Sequence, residues 1–183
     1  MRPIFTIHAG EYLVGAEIEK RFKKVKVWLP SKDTGIDLLI TDYKNIKTVS
    51  LRVKFSKDWL VTHVKNNLHI GLESCGWWSL NRDKIKNSPA DFWVFCLYGF
   101  KQKKIDCVII EPRVLLEKLS KLHGNSRTIQ SYLWVTNKNK CWETRGLNKK
   151  DHALIADHRY RNASRDFSVY LNNWNKIINK LKF

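Results

Sequence analysis

The sequence predicts an α/β fold, a mixed central β-sheet flanked by helices. Three observations predict it. Segments with period-2 alternation recur between residues 25 and 56, and two further apolar runs lie at 91–98 and 105–111. Helical periodicity of spacing i, i+3, i+4 stands before the first strands and again after Pro112. With 183 residues and 43% hydrophobic residues, the chain is sized for one domain with a real core, which excludes wholesale disorder.

In chain order, GEYLVGAEIEKRF (10–22) places Leu13, Val14, Ala16, Ile18 and Phe22 on an amphipathic helix. A basic run follows at its C-terminal end, where cations suit the helix dipole. VKVWLP (25–30) alternates apolar and basic as a half-buried strand does, SKDTG (31–35) is turn chemistry, and IDLLITD (36–42) is a second strand. TVSLRVKFS (48–56) alternates again, with Val49, Leu51, Val53 and Phe55 on one face. WLVTHVKNNLHIGL fits a helix or a strand, and LNRDKIKNS (80–88) reads as a short basic helix or a loop. DFWVFCLY and IDCVIIE are strands joined by the basic turn GFKQKK. Pro112 then opens a helix that Gly124 closes. IQSYLWV (129–135) reads as a strand and FSVYLNNWNKIINKL (167–181) as a helix, with a polar, aromatic and basic stretch between them. Trp28, Trp93 and Trp174 are expected in the core.

Charge is the strongest compositional signal. Lys and Arg number 34 against 17 Asp and Glu, a net charge of +17. From residue 121 onward there are thirteen basic and four acidic residues, a net +9. Such a surplus implies a polyanionic partner, most simply nucleic acid. Aromatic residues interleave with it. Trp77 and Trp78 precede Arg82 and Lys84, and Trp134 and Trp142 flank Lys138, Lys140 and Arg145. That mix stacks on bases and grips phosphates. Lys57, Lys101, Lys103 and Lys104 complete the expected nucleic-acid contacts. No apolar run reaches the roughly 20 residues of a membrane span, and the N-terminus does not read as a signal peptide. Cys75, Cys96, Cys107 and Cys141 lack metal-ligand spacing. A reduced, cytoplasmic protein with no membrane partner is the expectation.

Polar residues inside apolar strands mark a candidate site. Asp37 lies within GIDLLI, Lys54 within LRVKF across a hairpin, and Glu11 in the opening helix. A carboxylate at a strand start, beside an ammonium on the next strand, is the pairing that metal-assisted phosphodiester hydrolysis uses. Taken singly, Asp37 also fits a carboxylate satisfying turn amides, and Lys54 an outward strand residue.

The pattern GEYLVGAEIEKRF … SKDTGIDLLITD … VSLRVKFS resembles the PD-(D/E)XK nuclease superfamily. Its restriction-endonuclease-like fold includes restriction endonucleases and Holliday-junction resolvase or Mrr-like enzymes. The resemblance covers roughly residues 8–56. It implies a restriction-endonuclease-like core over about 1–124 with a basic C-terminal elaboration over about 125–183, all in one nuclease-like domain. It implies a catalytic set of Glu11, Asp37 and Lys54, with Asp37 and Glu11 holding Mg2+ or Mn2+. The activity implied is a metal-dependent DNA endonuclease of type II restriction or related defence type, acting on duplex or branched DNA, with a homodimer expected on a duplex. A structure-specific resolvase and a non-catalytic nucleic-acid-binding protein are the alternatives. One position departs from the pattern: Arg52 stands where the motif places its second acid, and a guanidinium repels a divalent cation. Either Arg52 contacts phosphate while Asp37, Glu11 and the residue 53 carbonyl hold the ion, or Glu17, Asp58 or Glu73 replaces the missing acid, or the site is degenerate.

Overall fold

The computed structural model describes residues 4–32, 34–57, 71–99 and 103–181, with side chains from residue 9 onward. Helix α1 spans Ile4–Arg21, followed by strands β1 (Val25–Trp28), β2 (Leu38–Asp42) and β3 (Thr48–Lys57). Strand β4 (Leu72–Asn81) runs into the short helix α2 (Arg82–Lys86), and then come β5 (Phe92–Gly99) and β6 (Lys104–Ile110). Helix α3 (Pro112–His123) precedes β7 (Thr128–Thr136), β8 (Cys141–Glu143), α4 (Lys149–Ala156), two 3-10 turns and α5 (Asn175–Leu181).

Two sheets form. The first has the order β1-β2-β3-β5-β6, antiparallel throughout except that β3 and β5 run parallel; the second has the order β4-β7-β8. The expected mixed sheet flanked by helices is therefore present, and a second sheet accompanies it. Alternation along β3 decides the layers. Val49, Leu51 and Val53 turn to one face, where Val14 and Ile18 of α1 and Ile177, Ile178 and Leu181 of α5 close the first core. Gly10 lets α1 approach this face, because a Cβ there would come within 2.5 Å of the Phe55 Cβ. The opposite face of β5 and β6 carries Trp93, Phe95, Val108 and Ile110, which pack against Leu115 and Leu119 of α3 and the inner face of the second sheet. The residues expected as a C-terminal elaboration thus contribute to both cores.

Several expectations change. The helix expected over 167–181 is confined to Asn175–Leu181. Upstream of it, Asn172 adopts a positive φ of 50° and its side chain accepts the Cys107 N–H at 2.8 Å, while Leu171 bridges to Val108. The chain there adds to the edge of β6 instead of coiling. Trp28 is not a core residue. It shares the outer face of the edge strand β1 with Lys26 and is 49% exposed, its indole N–H donating to Thr41 Oγ1 at 3.1 Å. Trp93 and Trp174 are buried as expected. Strand β4, strand β8 and helix α4 were not foreseen as elements. Of the segment WLVTHVKNNLHIGL, residues 59–70 fall outside the described residues, and Leu72 begins β4. All four cysteines are buried and unbridged. The Cys96 thiol beside it, together with burial, pushes the Cys107 thiol up, and burial does the same to Cys141, so neither is poised as a thiolate nucleophile. No helix among the described residues is long and apolar enough to cross a membrane.

Candidate nucleic-acid interface

Asp37 sits at the entry to β2, where its N–H donates to the Leu51 carbonyl at 2.8 Å. Continuing the β2–β3 register one step beyond Leu38↔Leu51 sets Asp37 opposite Arg52, and directly opposed residues of an antiparallel pair share a face. Asp37, Arg52 and Lys54 therefore point to the side of the sheet away from α1. Two contacts engage the Asp37 carboxylate. Oδ2 accepts the Val53 N–H at 2.7 Å, and Oδ1 lies 3.1 Å from Arg52 Nη1. The two side chains are only 12% and 15% exposed, so water screens the pair weakly.

Arg52 and Lys54 open onto a cleft of about 600 Å3 between the sheets. Its other walls come from the Gly35 turn, the end of β4, α2 and the entry to β5. Gly35 has φ of +93° and packs on the Pro89 ring, so the turn fits only a residue without a side chain. Lys54 Nζ lies 5.6 Å from the centre of the Trp93 ring, a cation–π contact that holds the ammonium at the cleft wall. Asn81 caps α2 by accepting the Lys84 N–H at 3.0 Å, which places Lys84 on the same cleft. Asp83 also lines it and pairs with Arg127 at 3.4 Å. The lining thus carries three cations, of which Arg52 is paired with Asp37, and one salt-bridged carboxylate, together with hydroxyl and amide groups of Thr34, Ser79, Asn81, Asn87 and Ser88.

The remaining expected residues fall elsewhere. Glu11 is on the sheet-facing side of α1, sharing a helical stripe with Val14, Gly15 and Ile18, and its neighbour Gly10 presses on Phe55. That is the opposite side of β3 from Arg52 and Lys54. Glu17 pairs with Arg21 one turn along α1, and Glu73 pairs with Lys104 at 3.5 Å. Asp58 and Lys101 lie outside the described residues. Among the described residues no three His, Cys, Asp or Glu side chains converge as a metal site. With both Asp37 oxygens engaged and a guanidinium 3.1 Å from one of them, the described residues at this site do not fit a divalent ion.

Of the expected nucleic-acid contacts, Trp78 is buried at 6% exposure and packs edge-on against Phe95 at 5.0 Å, so it belongs to the core. Arg82 is structural too, since its guanidinium donates to Ser120 Oγ at 2.6 Å and to the Ser126 and Gly124 carbonyls, tying α2 to the end of α3. Lys57, Lys84, Lys103, Lys104, Lys138 and Lys140 are exposed. Trp77 and Arg145 line a second, aromatic pocket on the outer face of the second sheet. The polar side chains that sequence reasoning missed at the cleft are Thr34, Ser79, Asn87 and Ser88, whose only signal is polarity inside turn and cap motifs. Comparison with known protein families, with curated proteins and with solved structures finds no match.

Proposed function

We propose that the chain binds nucleic acid by its phosphodiester backbone, with the cleft of Arg52, Lys54 and Lys84 seating a phosphate. The observation that carries this reading is Arg52 itself. By the resemblance it would stand where the motif has a metal-binding acid; it pairs with Asp37 and lines a cleft that also carries Lys54 and Lys84. A guanidinium held against Asp37 keeps its planar fork oriented, and Lys54 adds a second charge two residues along the same strand face. The net charge of +17 supplies the long-range attraction. The order of an opening helix, an Asp entering the second strand and a Lys in the third supports a nuclease-like, restriction-endonuclease-type core adapted to binding.

A metal-dependent endonuclease, of restriction or resolvase type and dimeric on a duplex, is the second reading. One observation favours it: Asp37 and Lys54 converge on one side of the paired strands β2 and β3. A single experiment separates the two. Purified protein is titrated with labelled duplex and branched DNA over a range of salt, and each mixture is then incubated with Mg2+, Mn2+ or a chelator. The binding reading expects affinity falling steeply with salt, with a slope of log K against log salt concentration of about −0.9 per phosphate neutralised on duplex DNA, and no cleavage. Arg52→Glu then weakens binding. Metal-dependent cleavage that Asp37→Ala abolishes would establish the enzyme reading, and binding that ignores salt would refute the nucleic-acid partner.

A further inference from the structure

The second sheet buries one face against the first sheet, while its other face packs partly on α4 through Leu72, Cys75, Trp142 and Ile155 and also carries a row of aromatic rings. Trp78, Leu80, Leu133 and Val135 turn inward, which sends Trp77, Tyr132 and Trp134 outward. Trp77 and Tyr132 are register partners, with ring centres 6.3 Å apart and planes inclined by 31°. Trp134 follows two residues along β7, and the His152 ring of α4 stacks on it at 4.5 Å. The turn after β8 builds the opposite wall, where Arg145 lies 5.4 Å over the Tyr132 ring. Together they enclose a pocket of about 530 Å3.

The chemistry of the walls selects the ligand. Stacked aromatic faces suit a flat π-system. None of the residues lining the pocket is acidic, and the cation already over Tyr132 opposes a second one, so a methylated ammonium is disfavoured. Burial holds the His152 imidazole below its ordinary pKa, against an opposing hydrogen bond to the Thr144 backbone, which disfavours its charged form. Arg145 is exposed at the rim, with donors available to the acceptor edge of a ring or to a phosphate.

Position supplies the second argument. Trp77 of this pocket and Ser79 of the Arg52–Lys54 cleft lie two residues apart on one face of β4, about 7 Å along the strand. The cleft and the aromatic pocket therefore share strand β4 as a wall.

We propose that this pocket is a nucleobase-binding site, taking one unstacked base of a single-stranded or locally opened nucleic acid. The proposal rests on the backbone-binding reading above. Two fluorescently labelled single-stranded DNA oligonucleotides of equal length test it, one ordinary and one abasic throughout, so that phosphate charge is matched. Wild-type protein binds the ordinary strand about ten- to a hundredfold more tightly, the range for base–aromatic stacking. Trp77→Ala brings that ratio toward one, Trp77→Phe restores part of it, and Arg52→Ala weakens both strands by a similar factor. Equal wild-type affinity for the two strands, or a ratio that survives Trp77→Ala, overturns the base pocket and leaves backbone binding standing. No binding to either strand overturns both.

Discussion

Arg52 and Asp37 form an ion pair that is shielded from solvent but not sealed from it, and this sets a measurable coupling. The Nη1–Oδ1 separation is 3.1 Å and both side chains are less than one-sixth exposed. Exposed pairs are worth about 0–1 kcal/mol, whereas breaking a buried pair costs about 3–5 kcal/mol. A pair at the edge of a cleft lies between these limits, at about 1–2 kcal/mol of coupling. The variants should preserve the other contact of Asp37, the Val53 N–H at 2.7 Å, because an unsatisfied buried amide adds its own penalty. Asp37→Asn keeps an acceptor for it, and Arg52→Met keeps most of the side-chain volume. Arg52→Met should lower stability by about 2 kcal/mol, or roughly 4–8 °C in Tm for a chain of this size, since it leaves the carboxylate largely buried. Asp37→Asn should cost less, because Arg52 lines the cleft and can turn its charge to water. The double variant should be more stable than the sum of the two losses implies. Urea unfolding of the four proteins, followed by circular dichroism, gives the coupling directly. Additivity within about 0.3 kcal/mol would show that the pair contributes nothing and would remove the reason for assigning Arg52 a fixed orientation. The same Asp37→Asn protein should bind DNA more tightly than wild type, because a negative charge beside the phosphate seat is gone.

Three further outcomes follow from other parts of the fold. Glu143 is fully buried and accepts from Arg165 Nη1 at 2.7 Å, with His123 Nε2 at 3.2 Å. Glu143→Ala strands the Arg165 charge and should cost about 3–5 kcal/mol, a Tm loss of roughly 6–20 °C in a thermal melt; a loss under 3 °C would contradict it. Gly71→Ala would push a Cβ to 2.1 Å from the Ala156 carbonyl oxygen, so the start of β4 and the end of α4 must separate. The expected cost is about 1–3 kcal/mol, read by urea unfolding, and a neutral result would refute that approach. Burial raises the Asp91 carboxyl, but the Lys180 ammonium at 2.5 Å and the Ser50 hydrogen bonds outweigh it and hold the pKa below its ordinary value. A depressed folded-state pKa means that the stabilisation is present above about pH 4 and is lost as pH falls through the folded value. Asp91→Asn should therefore flatten the decline of stability below pH 4, and an unchanged acid limb would count against the contact.

Local signals determined much of the first sheet. Period-2 alternation marks β1 and β3, apolar runs mark β2, β5 and β6, and Pro112 with Gly124 at φ +63° brackets α3. These patterns are legible because each face meets one environment along its whole length. The neighbourhood of Asp37 and Lys54 was legible for the same reason, since a short hairpin leaves few ways to pair the two strands.

Tertiary structure decided what depends on a partner far away in sequence. Trp77 and Trp78 are chemically alike and adjacent, yet pairing with β7 turns one outward to the aromatic pocket and buries the other against Phe95. Strand β8 has three residues, too few for any periodicity, and exists because β7 offers it an edge. The helix expected over 167–181 gave way at Asn172, whose side chain bonds to Cys107 and Asp106 of β6. The sequence alone determined that Arg52 interrupts an apolar strand. Only the fold brought its guanidinium onto Asp37, because cross-strand register, and not residue type, decides which charges meet.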